Sequence, residues 1–208
     1  MSVIDAAPAL WQRHTVPQRL PPIEAITAVV VVDEPRARTA TTMVSVERSS
    51  FHVERHISAS TIAVVGDDAA PSASIRSALA PCDSVIRTQQ PWAVKRLIGV
   101  AHAVARTNGA GIPPDRLWVT LIDAGDVVPS DWFEQQLHHA ADGAVAVRSV
   151  PRPDGSATPR LGFRIDAYLA ARAWRPMLAG DGDELWKRFS KLGTARGNAE
   201  LEMVSRAR

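Results

Sequence analysis

The stretch Leu117–Trp132, LWVTLIDAGDVVPSDW, limits the fold more than any other part of the chain. An apolar run stops there at two closely spaced carboxylates, Asp123 and Asp126, and the chain then turns through Pro129. Apolar side chains on nearly every position (Leu117, Trp118, Val119, Leu121, Ile122) suit a strand covered on both faces. Asp123-Ala124-Gly125-Asp126 suits the loop at its C-terminal end. In open α/β sheets that end of the strands is where ligands bind.

Two earlier runs have the same character. Ile26–Val32, ITAVVVV, is dense in β-branched residues and closes on Asp33-Glu34-Pro35, and Thr61–Val65, TIAVV, ends at Gly66-Asp67-Asp68. Between them Met43, Val46, Ser50, Val53 and Ile57 recur at helical spacing, predicting a helix over 42–57. Strand, helix and strand over such a length make a parallel unit. A short helix over 72–79 and a short strand over 83–88 come next, then a helix from Trp92 to Arg106. Its apolar face is Trp92, Leu97, Val100, Ala101 and Val104, with Lys95, Arg96, His102 and Arg106 mostly on the other, and Asn108-Gly109 ends it.

After the acidic loop, Ser130 is placed to cap a helix running to His139. Ala144–Val150 reads as a strand and the following PRPDGSATPR as a turn-rich loop. Residues 162–173 begin as a strand edge and become a helix, 184–192 form a further helix, and 200–205 a last strand. Residues 1–25, with Pro8, Pro17, Pro21 and Pro22, read as an N-terminal extension that Trp11 and Leu20 could dock. Residues 26–208 are expected to form a single three-layer α/β domain with a mostly parallel sheet.

Composition agrees with one such domain: 208 residues, 46% hydrophobic and 22% charged. The net charge of +2 comes from basic residues scattered among acids, so no basic arm for nucleic acid is expected. Cys82 is the single cysteine, which excludes an internal disulfide, and with no base nearby in sequence it reads as an inert thiol. No apolar run approaches the roughly 18–20 residues that span a bilayer, and the start lacks a signal-peptide pattern. The expectation is a cytoplasmic protein without a transmembrane segment.

Taken together over roughly residues 26–206, these motifs resemble, in order, those of family 2 glycosyltransferases of the GT-A fold, which transfer a sugar from a nucleotide-diphosphate donor. The resemblance implies a nucleotide-diphospho-sugar transferase fold and a role for each acidic strand end. Asp33, Asp67 and Asp68 would face the nucleotide, a carboxylate there accepting from a pyrimidine N–H. Lys95 and Arg96, in RTQQPWAVKRLIG, would sit beside the diphosphate. Asp123 and Asp126 would hold a divalent metal, manganese or magnesium, against the same group. In the family's Asp-x-Asp register Asp123 takes the first acid and Gly125 the second, with Asp126 one residue late.

Further along, LGFRIDAYLAARAW resembles the acceptor-side segment through Arg164, Asp166 and Tyr168. GDGDELW resembles the Glu-Asp pair before a Leu-Trp helix, whose Asp is the general base. Aligned on Leu185-Trp186, Asp181 takes the Glu and Gly182 the catalytic Asp, leaving Asp183 as the nearest replacement.

Two functions follow from the resemblance. One is an inverting glycosyltransferase acting on an unidentified acceptor hydroxyl, with Asp181 or Asp183 as base. The other, favoured by glycine at both acid positions, is a catalytically degenerate relative that serves as a nucleotide-binding or partner subunit. Each motif also has a plain reading: acidic strand ends are often merely solvated, and two basic residues on a helix suit a solvated face. His52 and His56 lie one turn apart among Glu47, Arg48, Glu54 and Arg55, which reads as a polar helix face and not a metal site.

Overall fold

The computed structural model describes residues 20–32, 38–66, 77–149, 160–173, 181–197 and 201–205. Three strands form first from continuous apolar sequence: β1 (Ala25–Val32), β2 (Ser58–Val65) and β4 (Leu117–Asp123). The short β3 (Ser84–Arg87) lies before β4 in the chain. After β4 come β5 (Ala144–Ser149), β6 (Leu161–Arg164), β7 (Thr194–Gly197) and β8 (Leu201–Ser205). The helices are α1 (Arg38–Val53), α2 (Trp92–Gly109), α3 (Trp132–Ala141), α4 (Ile165–Ala170) and α5 (Asp181–Ser190).

The strands form one sheet in the order β3-β2-β1-β4-β6-β5-β8-β7. β1 pairs in parallel with both β2 and β4, and β2 with β3. β6 runs against both β4 and β5, and β8 against both β5 and β7. β1–β5 and β7 therefore share one direction, with β6 and β8 reversed, so the expected mostly parallel α/β sheet is present.

β1 shows why the sheet is covered on both faces. Its even positions, Ile26, Ala28, Val30 and Val32, pack in one cluster with Met43, Val46 and Val53 of α1 and with Trp132, Phe133 and Ala140 of α3. Ala25, Val29 and Val31 pack in a second cluster with Val100, Ala103 and Val104 of α2, Ala167 of α4, and Leu185 and Phe189 of α5. A run of valines serves both layers because successive side chains point to opposite faces. On the α2 side the approach is close: a Cβ added at Gly99 would lie 2.3 Å from Val29 Cγ1. That contact brings the start of α2 down beside the strand ends.

Several expectations are adjusted by the fold. Residues 161–164 form an interior strand between β4 and β5, not a strand edge. α1 begins at Arg38 and ends at Val53, leaving Ile57 outside it. β7 had no signal in the sequence. The predicted helix over 72–79 lies largely outside the described residues, as does residues 1–19 of the extension. Leu20 does pack against the core, and Pro21 O accepts from Arg164 Nη1 at 3.0 Å.

Candidate functional site

Parallel register fixes where the acids fall. Val31 of β1 lies level with Val64 of β2 and with Asp123 of β4, so the C-terminal ends of the three strands open on one edge. Asp33, Asp67 and Asp68, which follow two of these strands, lie outside the described residues.

The acidic loop itself is shaped by glycine and held by a helix. Asp126 N donates to Asp123 O at 3.0 Å, closing a tight turn through Gly125, whose φ is +110°. Only glycine adopts that conformation without strain. Three hydroxyls at positions i, i+3 and i+7 of α1 then accept from the loop backbone. Thr42 Oγ1 takes Gly125 N at 2.9 Å, Ser45 Oγ takes Val128 N at 3.1 Å, and Ser49 Oγ takes Phe133 N at 2.8 Å. The last of these satisfies an orphan N–H in the first turn of α3. Ser49 thus supplies the cap expected from Ser130, while Asp131 at the N-cap makes no capping side-chain bond. Hydroxyls at helical spacing, within TATTMVSVERSS, were the legible signal for this support.

Asp123, Asp126 and Asp183 are each ion-paired with an arginine, and each of those arginines lies over a tryptophan ring. Arg96 Nη2 donates to Asp123 Oδ2 at 2.6 Å, and its guanidinium sits 3.5 Å over the Trp92 ring. Arg160 Nε lies 3.6 Å from Asp126 Oδ2, and its guanidinium is 5.8 Å from the Trp132 ring. Arg148 Nη1 donates to Asp183 Oδ1 at 3.3 Å, and its guanidinium is 4.7 Å from the Trp186 ring. Arg148 stands near the C-terminal end of β5, and Arg160 N donates to Ser149 Oγ, so these groups share the C-terminal edge of the sheet. Arg148 and Arg160 had not been singled out in the sequence.

Lys95 and Arg96 are each only 4% exposed, which removes the solvated helix face as their explanation. Asp126 is shifted toward the neutral acid: burial pushes its carboxyl up, Arg160 opposes this, and nearby Asp123 adds to it. Asp183 is the opposite case, with two-thirds of its side chain exposed. Asp181 begins α5, directly before Gly182.

Whether Asp123 and Asp126 suit a divalent metal turns on those partners. Asp123 Oδ1 and Asp126 Oδ2 are buried without a hydrogen bond, as a ligand's oxygens would be. Both carboxylates, however, already face guanidinium groups, and among the described residues no three His, Cys, Asp or Glu side chains converge. The described donor set therefore fits a metal poorly.

The acceptor-side residues are elsewhere. Arg164 pairs in register with Trp118, near the start of β4, which places it at the opposite edge of the sheet. Its guanidinium is fully buried; it donates to Asp166 Oδ1 at 3.3 Å and also to Asp115 O. Tyr168 is buried and stacked on Phe163 at 4.9 Å between ring centroids. Arg164, Asp166 and Tyr168 hold the core together and do not border the cleft. Cys82 is half-buried, and burial and Asp83 push its thiol up to about 11. His52 and His56 are exposed on the polar surface around the end of α1.

No protein-family model and no curated protein sequence matches the chain. Solved structures do. TarS from S. aureus (residues 1–349) aligns with a TM-score of 0.52 at 9% identity, over 78% of this chain and 54% of that one. This chain thus spans about half of that protein's aligned length. 4-Diphosphocytidyl-2C-methyl-D-erythritol synthase aligns at 0.48 and 15% identity, over 79% of this chain and 84% of that one. A nucleotide-diphospho-sugar transferase candidate from Desulfovibrio desulfuricans G20 aligns at 0.47 and 13% identity, over 81% and 76%. At these identities the likeness is one of fold. The chain has a three-layer α/β fold, with six of its eight strands in one direction, that it shares with TarS.

Proposed function

We propose that the protein binds a nucleotide-diphospho-sugar at the C-terminal edge of β1, β2 and β4, as a glycosyltransferase-like protein of family 2 character whose transfer chemistry is weak or lost. The observation that carries this reading is the buried Arg96 paired with Asp123, with buried Lys95 next to it in α2. Cations so placed, at the start of a helix and at the ligand end of a parallel sheet, suit a diphosphate. The loss of chemistry is supported by Gly125 and by the pairing of Asp123, Asp126 and Asp183 with arginines. A general base must sit where it can take the acceptor's proton, and Gly182 leaves no carboxylate at the family's catalytic position. Asp33, Asp67 and Asp68 would border the nucleotide in this reading.

A slow inverting transferase is the second reading, favoured by the exposure of Asp183, which leaves that carboxylate open to an acceptor hydroxyl. Incubation with UDP-, GDP-, CDP- and ADP-sugars, with manganese or magnesium present, separates the two. Binding with little or no sugar release is the expected result. Rapid turnover would overturn the degenerate reading, and absence of binding by every nucleotide would overturn both.

A further inference from the structure

We infer that the diphosphate is neutralised by tryptophan-backed arginines on the cleft edge, Arg96 foremost, so that nucleotide binding needs no metal ion; this rests on the nucleotide-binding reading above.

The supporting pattern is the threefold recurrence of tryptophan, arginine and aspartate: Trp92–Arg96–Asp123, Trp132–Arg160–Asp126 and Trp186–Arg148–Asp183. Each set joins two stretches of sequence, and of the aspartates Asp123 and Asp126 are the carboxylates a metal would use while Asp183 is the candidate base. An aromatic face and one carboxylate fix the plane of a guanidinium before any ligand arrives. A planar fork held in this way is matched to phosphate oxygens and makes short charge-assisted hydrogen bonds with them. Pre-ordering also lowers the side-chain entropy lost on binding.

A divalent cation would meet a different environment at the same loop. To reach Asp123 it would have to displace the Arg96 guanidinium at 2.6 Å. To use Asp126 it would compete with the Arg160 guanidinium, whose Nε lies 3.6 Å from Asp126 Oδ2. The residue in the family's second acid position is Gly125, held at φ +110°, which supplies no oxygen side chain. Arginine at the first acid, a buried and paired second acid, and glycine between them all point to guanidinium as the positive charge of the site.

The test is calorimetric titration of the full chain with UDP, GDP, CDP and ADP, once with excess manganese and once with EDTA. For whichever nucleotide binds, the dissociation constants in the two buffers should agree within about threefold. Arg96→Met should weaken binding by roughly tenfold or more in both, and Arg96→Lys by less, since it keeps charge but loses the fork and the stack. Thermal melts show whether each variant is folded, and the wild-type comparison stands without them. Binding seen with manganese and lost in EDTA would overturn the inference while leaving the nucleotide-binding reading in place. No binding in either buffer would overturn both.

Discussion

Arg96 is the residue on which stability and the proposed binding role meet. Its pair with Asp123 is shielded from solvent, so removing one partner strands the other. Arg96→Met is expected to lower folding stability by about 3–5 kcal/mol, the usual cost of an uncompensated buried charge. The double variant Arg96→Met with Asp123→Asn should recover much of that loss, measured by urea denaturation. Equal destabilisation in the single and double variants would show that the ion pair is not the source. Asp126 allows a pH test. Its folded-state carboxyl is raised, so the folded protein keeps a proton that the unfolded chain has released; this favours folding at low pH and is lost as pH rises from the ordinary aspartate value of 3.8 through the raised folded value. The melting temperature of Asp126→Asn relative to wild type should therefore climb over that window and level off above it. A difference that falls with rising pH would contradict the burial of Asp126. The sequence named Asp123, Asp126 and Arg96 but not their pairing. Helical spacing puts Lys95 and Arg96 opposite the apolar face, yet the first turn of α2 lies beside the strand ends, where the facing surface is acidic. Arg164 shows the converse: its match to a motif said nothing about which edge an antiparallel strand would deliver it to.

At the scale of elements, α1 acts as a rail for the acidic loop. Ser49→Ala leaves the Phe133 N–H without its acceptor and should cost about 1 kcal/mol, as loss of a helix cap does, or roughly 2–4 °C in melting temperature for a chain of this size. An unchanged melting temperature would mean that water replaces the hydroxyl. Thr42 bears on the loop in the same way through Gly125 N. Gly125→Asp restores the family's second acid on paper, but its side chain would have to adopt φ +110°. We expect this variant to be destabilised, by the order of 1–3 kcal/mol, with no gain in manganese affinity. Tighter manganese binding with intact stability would show that the turn can reshape. The elements with long apolar runs or strong periodicity, β1, β2, β4 and α2, were legible because burial on both faces or on one stripe dictates their composition. β7, with the sequence TARG, was not, since its strand form comes from pairing with β8.

For the whole molecule, direction matters more than sequence order. The shared edge at the C-terminal ends of β1, β2 and β4 was legible because parallel strands must end on one side. The insertion of β6 between β4 and β5 was not legible, because a four-residue strand carries no mark of its neighbours. That insertion separates two ends with different chemistry: an edge with three arginine–aspartate pairs, and an opposite edge where Arg164 ties Pro21 and Asp115 to the core. Among the described residues no helix is long and apolar enough to cross a membrane. The central claim, that the arginine-lined edge is where a nucleotide diphosphate binds, is tested most directly by hydrogen exchange with and without a saturating nucleoside diphosphate. The account predicts slowed exchange in the loop after β4 and at the start of α2, around residues 92–97 and 123–133, with Arg164 and its neighbours unchanged. Protection confined to the Arg164 edge, or none in a nucleotide-saturated sample, would contradict it.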